Sequence, residues 1–144
     1  MIYLDTNIII YAIENNYKYG KKCKEILEKI QYCKIEACCS ILVLVEVINV
    51  LCKINKILGK ENKNKLNIQD NINAILSLPI IWYDLSFLII KHSSNYNFKV
   101  SGVDYIHVAT MEVNSVFEVI SADEELDKIP FLKRIDPIKF EKVL

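Results

Sequence analysis

The chain has little glycine and little proline, with only three of each among its 144 residues. Hydrophobic residues make up 52% of the sequence. Disordered and fibrous chains have the opposite composition, so both classes are excluded. A chain of this length buries enough surface to be stable without disulfides or a structural metal. We therefore expect one compact domain over residues 1–144.

The sequence also lacks a net charge, a long apolar run and a repeated cysteine spacing. Lys plus Arg and Asp plus Glu number 18 each, so the net charge does not indicate a nucleic-acid-binding protein. The apolar run of residues 41–45 ends at Glu46, far short of the ~20 residues of a membrane span. Five cysteines without a CxxC pair indicate free thiols in a reducing compartment. Met1 leads directly into the first predicted strand, so we expect no secretory signal and a cytoplasmic location.

Short apolar segments alternate with helical patterns along the chain. Strands are predicted at residues 2–4, 37–39, 79–83 and 116–120. Apolar residues at i, i+3, i+4 and i+7 predict a helix around residues 23–30. Further helices are predicted after Ser40, over 87–94 with Ser86 as N-cap, and over 103–113 with Ser101 as N-cap. The alternation favours a parallel sheet with helices on both faces.

The helix predicted after Ser40 is apolar on most sides, so we expect it to be buried. Residues 56–73 are polar and rich in lysine around Gly59, and helical spacing resumes at Ile68. This pattern predicts an exposed helical hairpin. Ligands of open parallel sheets bind at the carboxyl ends of the strands, beside a topological switch point. The acids near those ends are therefore the candidate functional residues.

Three aspartates near these strand ends each have a structural as well as a functional interpretation. Asp5 follows the first strand and is suited to cap the next helix. Asp104 closes the segment Ser101-Gly102-Val103-Asp104, which has the pattern of a capping box with the acid at N3. Asp123 follows the strand at 116–120 and is suited to cap a short helix at 124–128. None of the three indicates a functional site by itself.

Glu46 is harder to explain as a structural residue. An unpaired buried carboxylate costs several kcal/mol or shifts its pKa. No Lys or Arg lies within one helical turn of it, and Lys53 is about two turns away. Either a distant Lys or Arg pairs with it, or a divalent metal is held jointly with the other acids; we favour the metal. Its neighbours on the helical net are apolar: Leu42, Val43, Val45, Val47, Ile48 and Val50.

A cluster of carboxylates requires protons or a bound metal, because like charges repel. Oxygen-only ligation suits Mg²⁺ or Mn²⁺ and disfavours Zn²⁺, which prefers His or Cys. His107, one helical turn after Asp104, is interpreted as a helix-packing residue and is left outside the ligand set. Asn7 can add an amide contact. Asp127 shares the predicted helical face of Asp123 and is an alternative acid.

Four sequence stretches span nearly the whole chain in a fixed order: IYLDTNIIIYAI, SILVLVEVINVL, SGVDYIHVATM and VISADEELDKIPFLKRIDP. As an ordered set they resemble the PIN-domain ribonucleases, and especially the VapC-like toxins of prokaryotic toxin–antitoxin pairs. The resemblance implies a PIN-like three-layer α/β/α sandwich with a central, mostly parallel sheet and a protruding helical hairpin. It also implies a metal-dependent endoribonuclease whose products carry a 5′-phosphate and a 3′-hydroxyl.

The resemblance assigns a site by position. It implies that the catalytic and metal-binding residues are Asp5, Glu46, Asp104 and Asp123, with Mg²⁺ or Mn²⁺ as the cofactor. It places the supporting polar residues at Thr6, Asn7 and Ser121. The implied partners are an RNA substrate, a small antitoxin and a second copy of the chain, with no membrane. The chain departs from many relatives at Glu124-Glu125, where they carry a basic residue.

Other functions remain open at this stage. The same site would serve a housekeeping RNA-processing nuclease, and a non-catalytic PIN-like domain would be a partner-binding module. A haloacid-dehalogenase-like phosphatase also has an aspartate after its first strand, but it requires a second acid at residue 7, which is Asn7 here. Five lysines of the hairpin either contact an RNA backbone or, as we favour, only solvate the surface: Lys53, Lys56, Lys60, Lys63 and Lys65.

Overall fold

A five-stranded parallel sheet forms the centre of the protein. The computed structural model describes residues 1–100 and 104–141. Every neighbouring pair of strands is parallel, in the order β3-β2-β1-β4-β5. This confirms the predicted parallel sheet. The strands are β1 (Ile2–Leu4), β2 (Ala37–Ser40), β3 (Ile80–Tyr83), β4 (Glu118–Ile120) and β5 (Lys133–Ile135).

Helices connect the strands and cover the sheet. Within the described residues, every helix is too short or too polar to cross a membrane. Two short 3-10 helices follow β4 and β5, at Glu124–Lys128 and Pro137–Lys139. The α-helices are α1 (Thr6–Ile13), α2 (Gly20–Gln31), α3 (Leu42–Lys60), α4 (Ile68–Leu76), α5 (Phe87–Ser93) and α6 (Tyr105–Val113).

The side chains of β1 alternate between two cores, one on each face of the sheet. Ile2 and Leu4 pack in a core with residues of α1, α2 and α3. Tyr3 packs on the opposite face with Val108 and Met111 of α6. Because side chains of a strand alternate between faces, the sequence of a strand that is buried on both faces is apolar at consecutive positions. The result is the expected three-layer arrangement of helices, sheet and helices.

The strand order reverses between β1 and β4. From β1 the chain adds β2 and then β3 on one side, and it later adds β4 and β5 on the other. Leu4 pairs with Ile120, and the Asp5 N–H donates to the Ile120 carbonyl at 3.1 Å. The residues that follow both strands therefore meet at the switch point, where α/β proteins bind ligands.

Helix α3 begins and ends differently from the prediction. Ser40 is the last residue of β2 and not the N-cap, although its hydroxyl accepts from the Leu42 N–H at 3.1 Å. The helix continues to Lys60, through residues predicted to be polar hairpin. The Asn55 side chain bonds both the N–H and the carbonyl of Leu66 at 2.8 and 2.9 Å. These bonds tie the end of α3 to the segment that leads into α4.

The prediction that α3 is buried on most sides is wrong. Only the stripe of Val43, Val47 and Leu51 is buried. Val45 is 49% exposed and Ile48 is 39% exposed. The apolar composition therefore reflects one face in the core and another at the surface.

Two further differences concern α6 and β5. Ser101, predicted as the N-cap of α6, and the predicted first residue Val103 lie outside the described residues. Asp104 is itself the N-cap and accepts from the Ile106 N–H at 2.8 Å, so its predicted N3 position is wrong. Strand β5 was not predicted, because two of its three residues are charged. Ser86 is confirmed as the N-cap of α5.

Candidate active site and metal centre

The four acids singled out in the sequence line one pocket at the carboxyl edge of the sheet. Asp5 follows β1 and Asp123 comes shortly after β4, while Glu46 and Asp104 come from α3 and the start of α6. No lysine or arginine is among the described residues that line it. Negative charge is therefore concentrated here, and the basic group beside it is the imidazole of His107. The remaining lining residues are Tyr3, His107, Met111, Val119 and Leu126.

Asp5 is held rigidly at the switch point. Its Oδ1 accepts from the Thr6 N–H at 2.8 Å, which makes Asp5 the N-cap of α1. Its Oδ2 accepts from the Ser121 hydroxyl at 2.5 Å. Burial raises the pKa of Asp5, and the Ser121 hydrogen bond and the nearby His107 oppose this rise only in part. A cation in the pocket would therefore favour the charged form of this carboxyl group.

Ser121 and Asn7 join the ends of β1 and β4. Besides donating to Asp5, the Ser121 hydroxyl accepts from the Asp123 N–H at 3.0 Å and from Asn7 Nδ2 at 3.1 Å. Asn7 Oδ1 accepts from the Ala122 N–H at 3.3 Å. The predicted supporting residues thus form one network around Asp5. Three of these bonds join the segment after β1 to the segment after β4, and they fix the geometry of the switch point.

Asp104 and Asp123 are both helix caps and pocket residues. Asp104 Oδ1 accepts from the Ile106 N–H, and Asp123 Oδ1 accepts from the Glu125 N–H at 3.0 Å. In the part of the chain that the structure describes, the Oδ2 atom of each accepts no hydrogen bond. The structural and functional interpretations therefore do not compete. Each carboxylate caps a helix with one oxygen, and its other oxygen is available to a ligand.

Glu46 does not have the buried environment expected from the sequence. Its side chain is 35% exposed and lies at the pocket. Its Oε1 contacts His107 Nε2 and accepts from the Thr6 hydroxyl at 3.3 Å. Among residues 1–100 and 104–141, its ion-pair partner is His107 and not a Lys or Arg, so the alternative of a distant Lys or Arg is not realised. The prediction of burial was wrong because helical spacing does not reveal that this face of α3 opens onto a pocket.

His107 is the residue that the sequence interpretation left outside the site. It is buried, its Nδ1 lies 2.5 Å from the Tyr3 hydroxyl, and its Nε2 contacts Glu46. Burial lowers the pKa of His107, but the hydrogen bond and negative charge of Glu46 outweigh burial and raise it overall. One ligand atom each from Glu46, Asp104 and His107 lies within 4.8 Å of the other two. The signal in the sequence was the spacing of three residues from Asp104, which brings an N-cap side chain and an N3 side chain together at the start of a helix.

Asp127, considered as an alternative acid, lies outside the pocket. Both of its carboxylate oxygens bind the Arg134 guanidinium, at 2.9 and 3.1 Å. Arg134 also donates to the Ser121 carbonyl at 2.9 Å. Asp127 therefore anchors the turn after β4 through Arg134. The hairpin lysines are exposed and do not line the pocket.

A family model described as the PIN domain matches residues 2–132 of the chain. Among curated protein sequences, none matches. Solved structures with the same fold include a toxin–antitoxin complex from Klebsiella pneumoniae, with 19% identity, a TM-score of 0.62, and coverage of 97% of this chain and 100% of the other. VapBC2 from Rickettsia felis, bound to a DNA fragment from their promoter, has 21% identity, a TM-score of 0.66, and coverage of 94% and 98%. DNA-bound VapBC from Salmonella typhimurium has 18% identity, a TM-score of 0.61, and coverage of 95% and 99%.

Proposed function

The chain belongs to the PIN domain family, and from that premise we propose that it is a metal-dependent endoribonuclease, the toxin of a VapBC-type toxin–antitoxin pair. One observation carries the proposal. Four carboxylates converge on a pocket at the switch point of a parallel sheet, and none of the described residues lining it is a Lys or Arg. A site of this composition suits a divalent cation and a phosphate substrate better than an uncharged ligand.

The donor set fits Mg²⁺ or Mn²⁺. Glu46 Oε2, Asp104 Oδ2 and Asp123 Oδ2 accept no hydrogen bond from the described residues, so each is available to a cation. Carboxylate oxygens are the ligands these ions prefer. Asp5, Glu46 and Asp104 would hold the ion, and Asp123 would orient the ion or its waters. When bound, the ion lowers the pKa of a coordinated water and neutralises charge on the phosphate.

The proposed reaction is the one that the resemblance to PIN-domain ribonucleases implies, and the protein groups would orient its reactants. In the hydrolysis we propose, a water oxygen bonds to phosphorus, the bond from phosphorus to the 3′ oxygen breaks, and that oxygen takes up a proton. This leaves a 5′-phosphate and a 3′-hydroxyl. Thr6 and Ser121 fix both oxygens of Asp5, which prevents the carboxylate from rotating during the reaction. The carboxylates of Asp104 and Asp123 are fixed through their helix caps.

The proposed partners extend beyond RNA. The similar fold occurs in a toxin–antitoxin complex from Klebsiella pneumoniae, and this supports a small antitoxin as a partner of the present chain. A homodimer, which the family resemblance implies, and a cytoplasmic location, which the sequence indicates, stay predictions. Light scattering of the purified protein would measure the mass in solution and test the dimer.

The nuclease is tested by cleavage of labelled RNA, including transfer and ribosomal RNA fragments, with Mg²⁺, Mn²⁺ or EDTA. Asp5→Asn removes one charge at nearly constant shape, and we expect it to abolish cleavage. Asp84→Asn is the matched control, because Asp84 is an exposed acid just after β3 that does not line the pocket. Full activity of Asp5→Asn, or cleavage that persists in EDTA, would contradict the proposed mechanism.

The toxin role is tested by induced expression in growing bacteria. We expect wild type to arrest growth, Asp5→Asn to have no effect, and co-expression of a small antitoxin that binds the chain to restore growth. RNA cleavage in vitro without growth arrest would instead favour a housekeeping RNA-processing nuclease. If wild type neither cleaves RNA, nor arrests growth, nor binds Mn²⁺, the result would favour a non-catalytic partner-binding module.

A further inference from the structure

A chain of hydrogen bonds runs from the core to the pocket through Tyr3 and His107. The Ser40 N–H donates to the Tyr3 hydroxyl oxygen at 3.0 Å. The same hydroxyl lies 2.5 Å from His107 Nδ1 on the other side. The opposite ring nitrogen, Nε2, contacts Glu46 Oε1. Each link joins residues that are distant in the sequence, so the chain depends on the complete fold.

The direction of these hydrogen bonds follows from the number of hydrogens. A backbone N–H can only donate, so the Ser40 N–H uses a lone pair of the Tyr3 oxygen. The phenolic hydrogen of Tyr3 must then be donated to a different acceptor. Tyr3 is 1% exposed, so its phenolic hydrogen needs an acceptor inside the protein. Within the described part of the chain, His107 Nδ1 is the acceptor in reach of this hydrogen. The hydrogen of neutral His107 is therefore on Nε2, where it is donated to Glu46.

This direction decides between two roles for His107. A histidine nitrogen that binds a metal must present a lone pair, whereas a nitrogen that carries hydrogen is a donor. Nε2 carries hydrogen in the neutral tautomer selected by Tyr3, and it also carries hydrogen in the imidazolium form. The short separation of His107 from Glu46 and Asp104 therefore does not make it a ligand.

We propose that His107 is a positioning residue that orients Glu46 for the metal, and that Tyr3 selects the tautomer of His107 that can do so. The inference rests on the proposed function, because the metal itself belongs to that proposal. His107 and Thr6 both contact Oε1 of Glu46, and Oε2 accepts no hydrogen bond from the described residues. The two donors fix a side chain that is 35% exposed and would otherwise rotate freely, and they leave one oxygen for the ion. Mutation of residues that orient metal ligands in this way commonly weakens metal binding by about 10- to 100-fold.

The test measures Mn²⁺ binding by electron paramagnetic resonance in the absence of RNA. His107→Leu removes the donor, and we expect it to weaken Mn²⁺ binding by roughly tenfold or more. His107→Gln keeps an N–H in reach of Glu46, and we expect it to restore most of the affinity. Tyr3→Phe removes only the hydroxyl that selects the tautomer, and we expect an intermediate loss. Thermal melting of each variant tests whether it is folded. If His107→Leu does not fold, the Mn²⁺ affinity of Tyr3→Phe decides the outcome.

The chain provides a matched control in its other histidine. His92 Nε2 lies 2.5 Å from Glu112 Oε1, in a His–Glu pair between α5 and α6 that does not line the pocket. His92→Leu removes a donor of the same kind, and we expect unchanged Mn²⁺ affinity. A loss equal to that of His107→Leu would show a general effect on the fold and would overturn the positioning role.

Pulsed electron paramagnetic resonance separates positioning from ligation directly. We expect Mn²⁺ bound to wild type to show no coupling to a directly bonded nitrogen. Such a coupling, lost in His107→Leu, would make His107 a ligand and overturn the inference.

Unchanged Mn²⁺ affinity in the Tyr3 and His107 variants would also overturn the positioning role while leaving the proposed nuclease intact. Absence of Mn²⁺ binding to wild type would overturn both proposals, whereas the expected affinity losses without RNA cleavage would support positioning and contradict the nuclease.

Discussion

The Oδ2 atom of Asp5 lies 2.5 Å from the hydroxyl oxygen of Ser121, directly beyond the ends of two neighbouring strands. Leu4 and Ile120, the residues before them, are paired partners in the sheet. The parallel register therefore brings the acid and the hydroxyl together, and residues from two distant parts of the sequence act as one unit. This unit lies at the switch point, where the sheet itself leaves room for a ligand.

Ser121→Ala is expected to weaken both stability and cleavage. The hydroxyl donates to Asp5 and accepts from Asn7 Nδ2 and the Asp123 N–H. Asp5 and Asn7 keep their mutual hydrogen bond at 3.3 Å when it is removed, whereas the partly buried Asp123 N–H becomes a polar group without a partner among the described residues. Such a group costs about 1–3 kcal/mol, and we expect a loss at the lower end of that range in the free energy of unfolding. Denaturant unfolding and RNA cleavage measure the two effects.

Ser94→Ala is the control for this change, because, among the described residues, the partner of the exposed Ser94 hydroxyl is the Lys91 carbonyl of α5. It should leave both properties unchanged. Equal behaviour of the Ser121 and Ser94 variants would show that the network around Asp5 does not hold the site.

Asp104 allows its capping and charge roles to be separated. Asn and Asp cap helices equally well, whereas Ala does not, and the loss of a cap costs about 1 kcal/mol. In the metal-free protein, we expect Asp104→Asn to melt at or above the temperature of wild type, because it keeps the cap and removes a repelling charge, and Asp104→Ala to melt below Asp104→Asn. Both variants should lose most of the stabilisation by Mn²⁺, because neither carries the charge. A wild-type response to Mn²⁺ in Asp104→Asn would remove this residue from the metal site.

The order of strands and helices was predictable from local patterns. Short apolar runs, a helical stripe in α2 and the Ser86 cap are properties of neighbouring residues, and all three are present in the structure. Strand β5 has no such pattern, since Lys133 and Arg134 are charged and the strand forms only by pairing with β4. Edge pairing of this kind depends on the assembled sheet and leaves little trace in three residues.

The convergence of the four acids on one pocket was predictable from the sequence, and the presence of His107 beside them was not. An acid that follows a strand is visible in the sequence, because the end of a parallel strand is where such sites form. The role of His107 depends on Tyr3 and Glu46, which are 104 and 61 residues away in the sequence. For the same reason, the exposure of Glu46 was wrongly predicted: the residues that open the pocket beside α3 come from α6 and from β1.

The five cysteines should separate into two classes of reactivity. Burial raises the pKa of Cys23 to about 12 and that of Cys38 to about 12, and Cys39 is also buried. Because the thiolate is the reactive form, these three should resist alkylation at pH 7, while the exposed Cys33 and Cys52 react quickly. Mass spectrometry after brief iodoacetamide treatment counts the labelled thiols.

All five cysteines should be labelled when the protein is unfolded in guanidinium chloride, which is the control for reagent activity. Rapid labelling of Cys23, Cys38 or Cys39 in the native protein would show that the core opens more readily than the packing indicates.

Mn²⁺ is expected to raise the melting temperature of wild type, and EDTA should reverse the rise. The pocket gathers four carboxylates whose mutual repulsion destabilises the folded chain, and a bound cation removes that repulsion. At a concentration about 100 times its dissociation constant, a ligand adds about 2.7 kcal/mol to the free energy of unfolding. For a domain of this size, that gain corresponds to roughly 5–10 °C.

Asp5→Asn should strongly reduce the rise in melting temperature with Mn²⁺, and Asp84→Asn should not. An equal response of all three proteins would place Mn²⁺ binding elsewhere on the surface, and the carboxylate pocket would then have to be stabilised by protons instead.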